Sequence, residues 1–318
     1  MSRHVVAILG TRYTDFSIEE EVLGGDVELR SAPGRGADEI AEVAADAEVV
    51  LAGAAPRFTA AVIERLGVRG IVRYGVGVDS IDLDAARRAE LWVARVADYG
   101  TEAVALHTVT LALAGVRRLR EADARVRAGE WGFADLRPLV LPSAMTAGVV
   151  GYGRIGRRVG EMLAALGFEV VAHDPLVLGD EPALEDLLAH ADVVSLHAPG
   201  PPGGAPLLGT DELALMRPGS VLVNTARGSL VDAHALAAAL AAGRPRVAAL
   251  DVFGGEPPDL SPFADVIERV ILTPHMAWYT EESERTMRVK AAEAARAILD
   301  GARPADVVVE PQSEEAAR

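Results

Sequence analysis

Short apolar runs alternate with longer amphipathic stretches along almost the whole chain, and this alternation restricts the fold more than any other feature. Val5–Gly10, Val27–Ser31, Val49–Ala52, Gly70–Tyr74 and Leu91–Val96 read as strands. Ile18–Leu23, Ala37–Ala45, Thr59–Leu66 and Leu83–Ala89 read as the helices between them. A strand that is apolar throughout, followed by a helix, suits a parallel sheet covered on both faces. The series stops at Ala97-Asp98-Tyr99-Gly100, and the pattern predicts one long helix from Thr101 to about Arg127.

After an irregular stretch with Pro138 and Pro142, a second series begins. Strands are expected at Thr146–Tyr152, Glu169–His173, Val193–His197, Ser220–Asn224, Val247–Asp251 and Val270–Thr273. Helices are expected at Arg154–Leu166, Leu184–His190, Asp211–Leu215, Ala233–Ala242 and Glu281–Leu299. The chain therefore reads as α/β with two doubly wound parallel-sheet units. Its 318 residues fit about two domains. The final helix follows the second series and is free to return to the first unit, and the tail from Pro311 to Arg318 reads as polar and loose.

Composition excludes several classes of function. Half the residues are hydrophobic and a quarter charged, enough for a real core. The net charge of −16 repels nucleic acid and anionic membranes, and no basic stripe offsets it. The chain has no cysteine, so thiol nucleophiles, Cys-bound zinc and iron–sulfur clusters are out, and no metal is expected. The lack of cysteine fits a cytoplasmic protein. Lys290 is the one lysine; Val289-Lys290-Ala291 is no P-loop, and a Schiff base would depend on this residue. The N-terminal apolar run Val5–Leu9 is too short for a signal-peptide core or a membrane span.

Gly151-Tyr152-Gly153-Arg154-Ile155-Gly156 fits G-x-G-x-x-G. The pattern alone is weak, but its context is specific: it follows an apolar strand and opens an amphipathic helix. Asp174 stands 18 residues past Gly156, at the end of the next strand, where an acid can bond the adenosine ribose. Gly151 permits the tight turn, Gly153 the approach of a pyrophosphate, and Gly156 close packing of helix on strand. No arginine follows Asp174 closely to pair with a 2′-phosphate, so NAD is expected over NADP.

Ligands of doubly wound sheets bind beyond the carboxyl ends of the strands. Three such ends carry Arg227, Glu256 and His275. Arginine can grip a carboxylate with two prongs, histidine can pass a proton near neutral pH, and a neighbouring glutamate favours the imidazolium. An arginine after a strand is usually a surface ion pair, a glutamate before Pro257 a solvated turn residue, and a lone histidine structural. Their joint placement on successive strand ends of a dinucleotide unit carries the argument. His4, His107, His190 and His234 read as structural, His173 as shaping a strand end, and His197 as a candidate cofactor contact.

The chain resembles the NAD-dependent D-2-hydroxyacid dehydrogenase family over nearly its whole length. The blocks are Arg73–Asp82, the glycine fingerprint, Val194–Pro199, Val223–Asp232, Asp251–Phe253 through Glu256-Pro257, and Thr273–Trp278. The resemblance implies that His275 is the acid/base, Glu256 its partner and Arg227 the substrate holder. It implies a substrate carboxylate cradled by the backbone of Val76 and Gly77, with Trp278 beside the substrate. It implies NAD contacts from Thr108, Arg154, Ile155, Asp174, Pro199, Thr225, Ala226 and Asp251, besides the three glycines. It also implies a discontinuous, flavodoxin-like substrate domain (1–98 and 280–318), a Rossmann NAD-binding domain (99–279) and a homodimer.

Three departures qualify the resemblance. Leu106 stands where the family often has an acid just before His107. Ala97–Thr101 looks like the branch containing the C-terminal-binding corepressors, which bind NAD and act mainly through protein partners. The sequence ends at 318, without the regulatory domain of longer phosphoglycerate dehydrogenases. Glu256, where formate dehydrogenases of the superfamily carry Gln, argues against that activity.

The expectation is a reductase of small 2-oxoacids using NADH. The competing expectation, from another class, is a catalytically weak NAD(H)-sensing binding protein. Arg57 has two readings, as a reader of a second anionic group and as a solvated loop residue; Trp278 is either an apolar wall or a packing residue behind His275.

Overall fold

The computed structural model describes residues 3–178, 182–200 and 204–312. Residues 313–318, most of the expected loose tail, lie outside the described residues. The chain divides into two compact units: one runs up to Gly100 and resumes at Thr280, and the other is Thr101–Tyr279.

The first unit is built on β1 (His4–Leu9), β2 (Val27–Ala32), β3 (Val49–Ala52), β4 (Gly70–Arg73) and β5 (Trp92–Arg95). Between them run α1 (Ser17–Leu23), α2 (Ala37–Val43), α3 (Ala60–Ile63) and α4 (Leu83–Arg88). Asp82 starts α4 by accepting the Ala85 amide at 2.9 Å. These five strands are parallel. β3 has all four residues buried, as expected for a strand with helices on both faces. One core side of this sheet gathers Leu9, Val50, Phe58, Ile63, Ile71 and Val93.

The second unit begins with α5 (Thr101–Val116) and α6 (Leu119–Arg127). The single helix expected from Thr101 to Arg127 is therefore two. Arg118 takes a left-handed conformation (φ 52°), which interrupts the ladder, and α6 has no buried residue to continue the packing of α5. The series continues with β6 (Thr146–Val150), α7 (Arg154–Ala165), β7 (Glu169–His173), α8 (Leu184–His190), β8 (Val193–Leu196), α9 (Thr210–Leu215), β9 (Val221–Asn224), α10 (Ala233–Ala241), β10 (Val247–Leu250) and β11 (Val270–Leu272). A 3-10 helical stretch, Ser261–Arg269, precedes β11 and has no counterpart in the sequence reading. The strands are all parallel, in the order β11-β10-β9-β8-β6-β7. The order reverses at β6, so the crevice beside that strand is the topological switch point.

The remaining elements, α11 (Glu281–Leu299) and β12 (Val307–Val309), belong to the first unit. Thr280 and Ser283 open α11 by exchanging side-chain and backbone hydrogen bonds at 3.1 and 2.8 Å. Lys290 Nζ donates to the Asp98 carbonyl at 2.7 Å. β12 pairs antiparallel with β5, so this sheet, ordered β12-β5-β4-β3-β1-β2, is parallel except at one edge. Among the described residues no helix is long and apolar enough to cross a membrane.

Candidate active site

The sequence of the second unit places three loops side by side, because β9, β10 and β11 are adjacent and parallel. Arg227 follows β9, Glu256 lies in the loop after β10, and His275 follows β11. His275 Nδ1 is 2.8 Å from Glu256 Oε2, and both side chains remain solvent-accessible. A carboxylate on Nδ1 fixes the ring and leaves Nε2 as the atom that can exchange a proton with a ligand.

The Arg227 loop touches the Glu256 loop through a glycine. A Cβ placed on Gly228 would lie 1.9 Å from the Phe253 carbonyl carbon, so no other residue lets these loops approach. Asn224 supports Arg227 from behind: its Nδ2 donates to the Arg227 carbonyl at 2.8 Å, and its Oδ1 accepts the Ala226 amide at 3.1 Å. The Arg227 guanidinium itself donates to the Ala226 carbonyl at 2.8 Å.

Asp251 organises the third loop. Its carboxylate is fully buried. Oδ1 accepts the Thr273 hydroxyl at 2.6 Å and the Met276 amide at 2.9 Å, and Oδ2 accepts the Ala277 amide at 2.9 Å. The His275 amide donates to the Asp251 carbonyl at 2.9 Å. These bonds hold His275 at φ 51°, a left-handed conformation that a side chain adopts at a cost of roughly 1–2 kcal/mol. Trp278 Nε1 closes the turn by donating to the His275 carbonyl at 3.1 Å.

The glycine fingerprint has the geometry its pattern requires. Gly151 lies at φ 90°, and a Cβ there would meet the His197 and Ala198 backbone at 2.6 Å. A Cβ on Gly156 would meet the Gly151 carbonyl at 2.0 Å, so helix α7 can seat against β6 only with glycine there. Gly153, at the N-terminus of α7, faces open space: the backbone is accessible where the helix offers unpaired N–H groups to an anion. Asp174 follows β7 and accepts the Tyr152 amide on Oδ2 at 2.7 Å, tying the next strand to the loop. This cradle fits the pyrophosphate and ribose of a dinucleotide.

Residues 109–277 match the family described as D-isomer specific 2-hydroxyacid dehydrogenase, NAD binding domain. The chain belongs to the D-isomer specific 2-hydroxyacid dehydrogenase family. It is 38% identical over 288 residues to a D-3-phosphoglycerate dehydrogenase of Mycobacterium bovis, covering 88% of this chain and 54% of that protein. The chain thus spans about half the length of that relative. It is 38% identical over 255 residues to a glyoxylate reductase of Aeropyrum pernix, covering 76% of each. Among solved structures it matches D-lactate dehydrogenase from Aquifex aeolicus complexed with NAD and lactic acid, with a TM-score of 0.86 and 27% identity, covering 96% of this chain and all of that one.

Within this member of the family, the residues expected to touch the cofactor fall into two groups. Arg154 and Pro199 are exposed, and Ile155 and Ala226 half-buried, so each has surface for a ligand. Thr108 and Asp251 are fully buried. The Thr108 hydroxyl donates to the Val104 carbonyl at 2.7 Å and pairs with Thr225 Oγ1 at 2.8 Å. In the structure Thr108 and Asp251 therefore support the loops from within. His197 Nε2 is 2.7 Å from Ser195 Oγ, and burial pushes its imidazole down to about 3, so it stays neutral.

His107, read as structural, joins the Asp251 group: its Nε2 is 3.1 Å from Thr273 Oγ1 and 3.7 Å from Asp251 Oδ1. The departure at Leu106 leaves that side chain 58% exposed, on the solvent side of α5. In the first unit, Val76 and Gly77 are half-buried in the loop after β4, and Arg57 is exposed. Among the described residues no cluster of His, Asp or Glu is arranged to hold a metal ion.

Proposed function

We propose that the protein is an oxidoreductase that moves hydride between NAD(H) and a small 2-oxoacid or D-2-hydroxyacid. The observation that carries this reading is the His275 Nδ1 to Glu256 Oε2 pair at 2.8 Å on a strand-end loop adjoining that of Arg227. Bound NADH supplies the hydride to the keto carbon. His275 gives its Nε2 proton to the carbonyl oxygen and becomes neutral, and the product is the 2-hydroxyacid. Glu256 holds the ring through Nδ1 and so keeps Nε2 turned to the ligand. Arg227 binds the carboxylate and draws charge from the carbonyl oxygen, and the amides of Val76 and Gly77 in the first unit read as donors to an anionic group.

Gly151, Gly153, Gly156 and Arg154 hold the pyrophosphate, and Asp174 the ribose. A carboxylate at Asp174 repels a 2′-phosphate, so NAD is preferred over NADP. The exposed apolar side chains of Leu119, Val126, Trp131, Phe133 and Leu141 fit a homodimer built on this stretch, which the mass in solution measures.

The test is a panel of 2-oxoacids offered with NADH and, separately, with NADPH. Turnover of a small 2-oxoacid with NADH supports the reading. No turnover across the panel, together with tight NADH binding, supports a nucleotide-sensing binding protein instead.

A further inference from the structure

Three buried side chains of the first unit, Glu19, Tyr74 and Arg288, form one connected group. Glu19 of α1 has no exposed surface and Arg288 of α11 is 6% exposed. Arg288 donates through Nε to Glu19 Oε1 at 2.9 Å and through Nη2 to Oε2 at 2.6 Å. The Tyr74 hydroxyl donates to the same Oε1 at 2.9 Å. The Arg288 guanidinium lies 4.4 Å above the Tyr13 ring, and the Tyr13 and Tyr74 rings meet edge to face at 5.9 Å. Burial raises the Tyr74 phenol far above its ordinary range, so it remains a donor.

A buried ion pair contributes little net stability, because desolvation offsets most of the attraction; holding a neighbour in one geometry is its better-attested use. The neighbour here is Tyr74, which leads directly into Gly75-Val76-Gly77. The carbonyls of Tyr74, Gly75 and Val76 are engaged. Arg73 donates to the Tyr74 carbonyl, the Val96 amide to the Gly75 carbonyl at 3.1 Å, and Arg95 Nη1 to the Val76 carbonyl at 3.4 Å. Among the described residues the N–H groups of Val76 and Gly77 have no protein acceptor. Gly75 sits at φ 124°, where only glycine is at ease, and it is the joint directly between Tyr74 and those two amides.

We propose that the Glu19–Arg288 pair, acting through the Tyr74 hydroxyl, is a positioning device that aims the Val76 and Gly77 amides at the substrate's anionic group. The proposal rests on the reading of those amides as carboxylate donors. Glu19 locks the Tyr74 side chain, Tyr74 fixes the peptide entering Gly75, and the glycine then has one orientation open to it. Such an interaction is equally strong in the ground and transition states, so its loss raises KM and spares kcat.

Tyr74→Phe tests this, because it keeps the ring and its packing on Tyr13 and removes only the bond to Glu19. Two readouts are needed: KM and kcat on the best 2-oxoacid, and hydrogen exchange of the Val96 amide in the substrate-free protein, which reports its bond to the Gly75 carbonyl. The expected result is a KM raised about three- to tenfold with kcat and NADH affinity within about twofold, and Val96 exchange faster by a similar factor. Unchanged Val96 exchange overturns the proposal whatever KM does. Faster exchange with unchanged KM also overturns it, since the loop would then move without consequence for the substrate. If the unsubstituted protein reduces no 2-oxoacid, the functional reading fails by itself, and the exchange measurement still decides whether Glu19 holds this loop through Tyr74.

Discussion

Asp251 Oδ2 accepts the Ala277 amide at 2.9 Å, so the end of β10 carries the loop that presents His275. Both oxygens of this buried carboxylate face N–H or O–H donors. Asp251→Asn turns one oxygen into an amide N–H₂ that must confront a donor. We expect a loss of about 1–3 kcal/mol in unfolding free energy, with a fall in kcat as the loop loosens. Denaturant unfolding and steady-state kinetics check this; a variant as stable as the parent would show that other contacts hold the loop.

His275→Ala removes the proposed proton donor. It should lower kcat by about 10²–10⁴-fold while NADH affinity stays within about twofold. Arg227→Ala should cost about 10²–10³-fold in kcat/KM, from the loss of charge-assisted bonds to the substrate. Near-parental turnover by either variant sinks the proposed mechanism.

Asp174→Ser removes the carboxylate that would oppose a 2′-phosphate, and the serine hydroxyl can still accept the Tyr152 amide. The NADH-to-NADPH ratio of kcat/KM should fall about tenfold or more. Competition between the two cofactors in single assays measures it, and an unchanged ratio would move cofactor choice to other residues.

His197 makes stability depend on pH. Its imidazole is pushed from 6.5 down to about 3 in the folded state. The unfolded chain takes up a proton below about 6.5 that the folded chain refuses until about 3. Its contribution is therefore whole above 6.5 and shrinks as the pH falls towards 3, by about 1 kcal/mol for the first unit below 6.5. Unfolding midpoints at pH 7 and 5.5 should separate in the parent protein and converge in His197→Asn. Parallel behaviour of the two proteins would assign the acid sensitivity elsewhere.

The fold was legible where burial on both faces leaves a plain mark. β8, β9 and β10 are apolar runs or nearly so, with every residue buried, and the sequence reading finds each of them. It misses the break at Arg118, because a left-handed arginine leaves no pattern where glycine would have. It misses β12, whose three residues become a strand only by pairing with β5. Within the site, Arg227, Glu256 and His275 stand out because each follows a strand in a recognisable block. Glu19 and Arg288 do not, since the pair spans 269 positions and neither partner belongs to a motif; Tyr74 lies in a block, but its bond to Glu19 leaves no mark there. The bonds that join Asp251, Thr273 and His107 are hidden for a related reason: they depend on burial, which the sequence does not display.

Lys290 is the only lysine in a chain that has no cysteine, and it is exposed on α11 with its ammonium at the Asp98 carbonyl. An amine-directed reagent therefore meets a single side-chain target. A thiol introduced anywhere else would be equally solitary. Two different dyes can then be attached at known positions without removing any native residue. A surface coupled through Lys290 would present the molecule by helix α11.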